Sequence, residues 1–211
     1  MQAEDEQLLD RLRSCGHQAL AEAFTEYRDR FERILSFRLD ARVRGRMDPQ
    51  DVLQEAFLAM ASRLEEYLST PSVSLFVWMR QRVLQTMIDM QRSQFRDKRD
   101  PNREIRFLAS SPVHTTSMSI ARYLLDDVTS PSQHVVRAEE AMQLESALDA
   151  MQEIDREVLA LRHFEQLTNQ QVAEVLEITP TAASNRYVRA ASRLGEILTN
   201  LGHGTNGNKS S

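Results

Sequence analysis

Residues Thr168 to Leu194 read TNQQVAEVLEITPTAASNRYVRAASRL. Thr168 and Gln171 have the spacing of a capping box, in which two side chains satisfy the first free amides of a helix. Apolar residues then recur at helical spacing: Val172, Val175 and Leu176. After a turn at residues 177–180, a second apolar helix side follows: Ala183, Tyr187, Ala190, Leu194 and Ile197. The stretch therefore predicts two helices joined by a tight turn.

Two helices in this order are typical of a helix-turn-helix, whose second helix enters the major groove of DNA. The outer side of the second helix supplies candidate contacts to bases and phosphates: Ser184, Asn185, Arg186, Arg189 and Arg193. Such turns often contain glycine, whereas Glu177 stands in that region here. With few arginines and no turn glycine, we expect this module alone to bind DNA weakly.

Composition predicts an all-α protein. The chain has 211 residues, with 41% apolar residues and only six glycines and six prolines. Too few turn residues are present for an all-β fold. A single thiol, Cys15, excludes an internal disulfide and favours a reducing compartment. The acidic N-terminus does not resemble a signal peptide, and no apolar run approaches the roughly 20 residues of a membrane helix. We expect a cytoplasmic protein without a membrane segment.

Charge is unevenly distributed around a net value of −5. Residues 80–106 hold eight basic and four acidic side chains, whereas residues 139–157 hold seven acidic and one basic. A uniformly basic nucleic-acid binder is therefore excluded. Almost all of the positive charge is arginine, which suits bidentate contacts with phosphate, guanine or carboxylate.

The first half of the chain predicts a bundle of about three long helices over residues 18–95. One apolar stripe consists of Leu20, Phe24, Tyr27, Phe31 and Leu35. A second helix begins at Asp48 and Pro49, a good N-cap and a good first helical residue. A third stripe consists of Phe76, Met79, Val83, Met87 and Met90.

The predicted architecture is two small helical domains joined by a flexible linker, the C-terminal one a helix-turn-helix. The boundaries are 1–98 for the bundle, 99–132 for the linker, 133–201 for the second domain and 202–211 for a disordered tail. Proline and serine clusters interrupt the helical pattern in the linker. Ile120 to Leu125 is predicted to be a short helix or docking segment within it.

The string DPQDVLQEAFL, from Asp48 to Leu58, resembles the polymerase-binding helix of extracytoplasmic-function (ECF) sigma factors in the sigma-70 family. The matching positions are Asp48, Asp51, Gln54, Glu55 and Phe57. Residues 51, 54, 55 and 58 share one helical surface. The resemblance implies that this helix binds the clamp helices of the largest subunit of RNA polymerase, through Asp48, Asp51, Gln54, Glu55 and Leu58.

Residues 76–99 resemble the promoter-melting helix of the same family, with Gln85 where asparagine is common. The resemblance implies DNA contacts by Trp78, Arg82, Gln85, Asp89, Arg92, Arg96, Lys98 and Arg99. A loop from Tyr67 to Ser74 is expected to cradle an unstacked base. An alternative role for Trp78 is that of a core anchor.

Residues 151–162 and 167–194 resemble the upstream-promoter module of the family, so the resemblance covers about residues 20–198. It implies a factor that binds core RNA polymerase, including its flap, and recognises the −10 and −35 elements of promoter DNA. An anti-sigma factor is a candidate partner.

No catalytic pattern is present in the sequence. The five histidines have no metal-ligand spacing, and phosphate-loop and GxSxG motifs are absent. We expect no enzyme activity, no cofactor and no metal. Two alternatives remain open: a helix-turn-helix regulator with an N-terminal sensing or dimerisation domain, and an anti-sigma or adaptor protein that does not bind DNA.

Overall fold

The computed structural model describes residues 3–39, 47–96, 112–126 and 134–206. These residues are helical with short connections, and none of them forms a strand. The chain divides into two compact units, residues 1–107 and residues 108–211. No helix among the described residues is long and apolar enough to cross a membrane. The predicted all-α class is confirmed.

The described residues of the first unit form five helices: α1 (Ala3–Cys15), α2 (His17–Arg38), α3 (Pro49–Ala61), α4 (Leu64–Ser69) and α5 (Leu75–Arg96). The central helix α2 packs against α1, α3 and α5, and α3 also packs against α5. The predicted stripe of α2 is confirmed, since Leu20, Phe31 and Leu35 are completely buried.

Aromatic rings join α2, α3 and α5 at the centre of the first unit. The rings of Phe31 and Phe76 are stacked with centroids 5.5 Å apart. The guanidinium of Arg30 covers the other side of this cluster, with Cζ 3.8 Å from the Phe76 centroid. Burial lowers the pKa of Arg30. The whole cluster comprises Phe24, Tyr27, Phe31, Phe57 and Phe76. Stacked aromatic pairs add stability beyond their buried area, so the cluster fixes where α3 and α5 lie.

Helix α1 was not predicted from the sequence, which emphasised only its acidic character. Two of its leucines are buried, Leu9 and Leu12, and the helix packs on α2. Gly16 separates the two helices at φ 53° and ψ −126°, a conformation that is essentially limited to glycine. The chain therefore turns at Gly16 and places a short apolar face of α1 against the bundle.

In the second unit, the part of the chain that the structure describes forms five more helices: α6 (Pro112–Asp126), α7 (His134–Asp149), α8 (Glu153–Leu159), α9 (Asn169–Leu176) and α10 (Pro180–Asn206). A π-helical turn, Ala160–Phe164, continues α8. Helix α10 packs against α7, α8 and α9. The predicted apolar side of α10 is confirmed, since Ala183, Ala190 and Ile197 are buried.

The structure corrects the predicted linker at residues 112–126, which form α6 and pack on α7 and α8. The Ser117 hydroxyl donates a 2.7 Å hydrogen bond to Asp149. Arg156 lies 3.8 Å from the same carboxylate and donates to the carbonyl of Leu148 at 2.8 Å. The contact surface of α6 is thus partly polar, and apolar periodicity does not detect a contact such as the hydrogen bond of the buried Ser117.

The predicted tail also differs from the structure, since α10 continues to Asn206. Residues 202–206 of the predicted tail belong to this helix, and residues 207–211 lie outside the described part. Extending an existing helix does not repeat the cost of nucleation, so the glycines at 202 and 204 do not stop α10 at once.

Candidate polymerase and nucleic-acid interfaces

The outer face of α3 carries the side chains that the sequence predicted to bind a partner. Asp51, Gln54 and Glu55 are exposed, and Leu58 has 57% of its surface exposed. Their spacing of three, four and seven residues places them along one helical face. The face thus combines two carboxylates with an apolar side chain that no other part of the described chain covers.

Helix α3 is held in place by its buried side and by its first turn. Val52 is fully buried, and the Phe57 ring lies 5.2 Å from Phe24 between centroids. Asp48 accepts a 2.9 Å hydrogen bond from the Gln50 amide as the N-cap. The Asp48 carboxylate therefore caps the first turn of α3, and the residue is still exposed to solvent.

A polar bridge links the start of α3 to α2. The Gln50 side chain accepts a hydrogen bond from Arg28 and donates one of 2.7 Å to Glu32. Arg28 and Glu32 also form an ion pair at 3.3 Å. These bonds lie at the edge of the Asp51 face and restrict its motion relative to α2.

The exposed side of α5 carries three of the residues predicted to contact DNA. The Gln85 amide donates to both carboxylate oxygens of Asp89, at 3.0 and 3.1 Å. Arg92 lies 3.9 Å from Asp89 in an exposed ion pair. Arg82 is only partly exposed, and its buried Nε has no hydrogen-bond partner within the described structure. Arg96 belongs to the last turn of α5, whereas Lys98 and Arg99 lie outside the described residues.

Trp78 is separate from this face and is a core anchor in the structure. Only 9% of its surface is exposed, and its ring stacks on Tyr67 with centroids 4.5 Å apart. The Tyr67 hydroxyl donates a 3.0 Å hydrogen bond to the carbonyl of Val73. The loop predicted from Tyr67 to Ser74 is therefore shorter than expected, because residues 67–69 belong to α4. The segment at 70–74 is pinned across its base by Tyr67.

The turn between α9 and α10 has the predicted position and an unusual residue. The capping box is confirmed: Thr168 accepts from the Gln171 amide at 3.2 Å, and the Gln171 side chain accepts from the Thr168 amide at 3.0 Å. Glu177 ends α9 in the left-handed conformation at φ 53°. This is the place where glycine is usual. Asn169 donates a 2.6 Å hydrogen bond to the Pro180 carbonyl, which ties the start of α9 to the start of α10.

The outer face of α10 brings together most of the predicted contact residues. Ser184, Asn185, Arg189 and Arg193 are exposed. Arg193 forms an exposed ion pair with Glu196 at 2.8 Å. Within the described chain, Arg189 has no ion-pair partner.

Arg186 differs from these neighbours. Its guanidinium lies 3.1 Å from the Asp155 carboxylate, and the two side chains are only 28% and 16% exposed. This pair connects α10 to α8. The predicted role of Arg186 in base contact therefore competes with a charge partner that the sequence alone did not reveal, because the two residues are 31 positions apart.

Among the described residues, no group of three or more His, Cys, Asp or Glu side chains is arranged to hold a metal ion.

Comparison with known protein families bears on the second unit. Residues 141–194, which include the helix-turn-helix, match the family model of sigma-70 region 4. No curated protein matches the sequence. Among solved structures, the chain is similar to CnrH in complex with the cytosolic domain of CnrY, with 18% identity and a TM-score of 0.49. That similarity covers 92% of this chain and 97% of that chain.

The region 4 match confirms the part of the resemblance that lies in the second unit. RNA polymerase and promoter DNA are the partners that this family implies. Residues 141–194 of this chain thus form a domain of the sigma-70 region 4 family.

Proposed function

We propose that the first unit binds core RNA polymerase through the exposed face of α3, formed by Asp51, Gln54, Glu55 and Leu58. The observation that carries this proposal is the exposure of Leu58, at 57%, beside two exposed carboxylates. An apolar side chain surrounded by charge is typical of an interface centre with a polar rim. The clamp helices of the largest subunit are the proposed partner, as the family resemblance implies.

The chemistry of this face specifies its partner. Two carboxylates one helical turn apart favour arginine, whose planar guanidinium binds carboxylates in pairs of hydrogen bonds. Leu58 would be buried between them, and the N-cap at Asp48 would hold the helix start in register. Charged groups at the rim speed association, whereas a buried apolar centre slows dissociation.

Charge reversal tests this interface. Asp51→Arg with Glu55→Arg should abolish retention of the chain on immobilised core polymerase, because two attractive contacts become repulsive. Glu26→Arg with Asp29→Arg is the matched control: both residues are exposed on α2, and the charge change is identical. Equal retention of the two double variants would reject α3 as the binding face.

The exposed side of α5 is proposed to contact the −10 element. Gln85, Asp89 and Arg92 form a continuous polar row along this side, and the basic residues Arg96, Lys98 and Arg99 follow in sequence. Basic side chains bind phosphates, and polar amides bind base edges. The segment at 70–74, pinned by Tyr67, is the candidate rim for an unstacked base.

The outer face of α10 is proposed to contact the −35 element. Ser184, Asn185 and Arg189 lie in the first half of the helix, where base contacts are usually made. Arg193 is suited to bind a DNA phosphate after its ion pair with Glu196 has opened. We assign Arg186 a positioning role, because its bond to Asp155 fixes the rotation of α10 on α8. Contact of this unit with the polymerase flap is part of the same proposal.

Two further expectations belong to this function. The chain acts without enzyme activity of its own, as a cytoplasmic partner of polymerase. An anti-sigma factor is proposed to inhibit it by covering the α3 face, since Leu58 offers an apolar contact that polymerase also needs. Competition between such a protein and core polymerase for the wild-type chain would support the proposal, and simultaneous binding of both would reject it.

A further inference from the structure

The outer face of α10 contains one apolar side chain among polar neighbours. Val188 has 61% of its surface exposed. It lies three residues after Asn185, four after Ser184 and directly before Arg189, and all three of these neighbours are exposed. Residues three and four apart are adjacent on a helix. Val188 therefore stands at the centre of the surface that is proposed to enter the major groove.

The buried side of α10 does not need Val188. Ala183, Ala190 and Ile197 form the contact of α10 with the rest of the second unit, and Tyr187 lies beneath the guanidinium of Arg162, 5.5 Å from ring centroid to Cζ. A β-branched residue is also a weaker helix former than alanine. Neither packing nor helix propensity thus accounts for valine at this position.

The major groove offers one apolar group, the C5 methyl of thymine, beside the donors and acceptors of the base edges. An aliphatic side chain within the groove gains free energy only from that methyl. A polar edge opposite it would lose water without gaining a hydrogen bond.

We propose that Val188 is a specificity-determining residue that contacts the C5 methyl of a thymine in the upstream promoter element. Asn185 and Arg189 flank it, and their side chains suit adenine and guanine respectively. Arg186 does not belong to this set, because Asp155 holds its guanidinium. The inference rests on the proposed function, since it requires α10 to enter the groove.

Deoxyuridine tests the contact, because it differs from thymidine only by that methyl. Holoenzyme is assembled from core polymerase and the full chain, and a bound promoter is selected from a library. Each upstream thymine is then replaced singly by deoxyuridine. At one position the affinity of wild-type holoenzyme should fall about fourfold, as expected for the loss of one buried methyl group. Holoenzyme with Val188→Ala should bind both promoters equally.

Leu198→Ala is the matched control, since Leu198 is an exposed apolar residue of the same helix, 40% exposed, beyond its first half. This variant should keep the fourfold preference for thymidine. Wild-type indifference to deoxyuridine at every upstream position would overturn the role of Val188, as would persistence of the preference in Val188→Ala. Footprinting of the same complexes separates the two failures: upstream protection without methyl dependence refutes only this inference, whereas no upstream protection refutes the proposed −35 contact as well.

Discussion

Arg186 and Arg189 lie on the same helix three residues apart, but their surroundings in the structure differ. Arg186 is bonded to Asp155 and largely buried, whereas Arg189 is exposed. A charge pair that is mostly removed from water leaves an uncompensated charge when one partner is lost. Substitution of Arg186 should therefore mainly lower the stability of the second unit, whereas substitution of Arg189 should mainly weaken DNA binding.

Arg186→Ala and Asp155→Ala should each lower the stability of the second unit by about 1–2 kcal/mol. The double variant should lose less stability than the sum of the two single losses, because both substitutions remove the same ion pair. Native-state hydrogen exchange of α8 and α10 amides measures this. Arg189→Ala should change stability by less than about 0.5 kcal/mol but weaken promoter binding by about 1–3 kcal/mol. Identical profiles for Arg186→Ala and Arg189→Ala would contradict the division of roles.

Glu177 carries backbone strain at the turn between α9 and α10. Its φ of 53° is a conformation that costs a non-glycine residue about 1 kcal/mol. Glu177→Gly should therefore stabilise the second unit by up to about 1 kcal/mol, detected as slower hydrogen exchange of α9 amides. A destabilised variant would mean that the Glu177 side chain contributes contacts that outweigh the strain.

At the scale of elements, α1 depends on the conformation of one glycine. Gly16→Ala should destabilise the first unit by about 1–3 kcal/mol, because the backbone conformation is closed to other residues, although no atom lies within 4 Å of the added Cβ. Gly195→Ala is the opposite case: the surroundings are equally open, but the residue is inside α10.

Alanine at position 195 should stabilise α10 by about 1 kcal/mol, since glycine is a poor helix former. Urea denaturation of both variants checks the opposite signs. If both changes had the same sign, local conformation would not be the controlling factor.

Elements with strong apolar periodicity could be predicted from the sequence. The stripes of α2 and α10 and the capping box at Thr168 were found because each depends on residues close in the chain. The sequence predicts most of α6 as a linker. A contact that holds this helix, from Ser117 to Asp149, joins residues that are 32 positions apart and therefore leaves no local pattern. Periodicity contains no information about such polar, long-range contacts.

The candidate site shows the same limit. The spacing of Asp51, Gln54, Glu55 and Leu58 predicted a shared face, and the structure confirms their common exposure. The sequence pattern did not predict that Asp155 binds Arg186 or that Tyr67 stacks on Trp78. The sequence also does not point to Val188 as a contact residue, because an apolar side chain is usually expected to be buried. Only its exposed fraction in the structure shows that Val188 is at the surface.

For the molecule as a whole, the net charge of −5 opposes binding to a polyanion. The free chain should therefore bind promoter duplex at least about 100-fold more weakly than the holoenzyme does, since specific complexes exceed non-specific ones by factors of about 10³ or more. Fluorescence anisotropy at a fixed salt concentration measures both affinities. Tight, sequence-specific binding by the free chain would show that polymerase is not required for promoter recognition.

We propose that this chain gives core RNA polymerase the ability to start at promoters. In vitro run-off transcription across a promoter library measures this ability. Core polymerase with the wild-type chain should produce discrete transcripts from a subset of promoters, and Asp51→Arg with Glu55→Arg should remove them while the Glu26→Arg with Asp29→Arg control retains them. Absence of chain-dependent transcripts from every promoter, with a polymerase that is active with another initiation factor, would contradict the account.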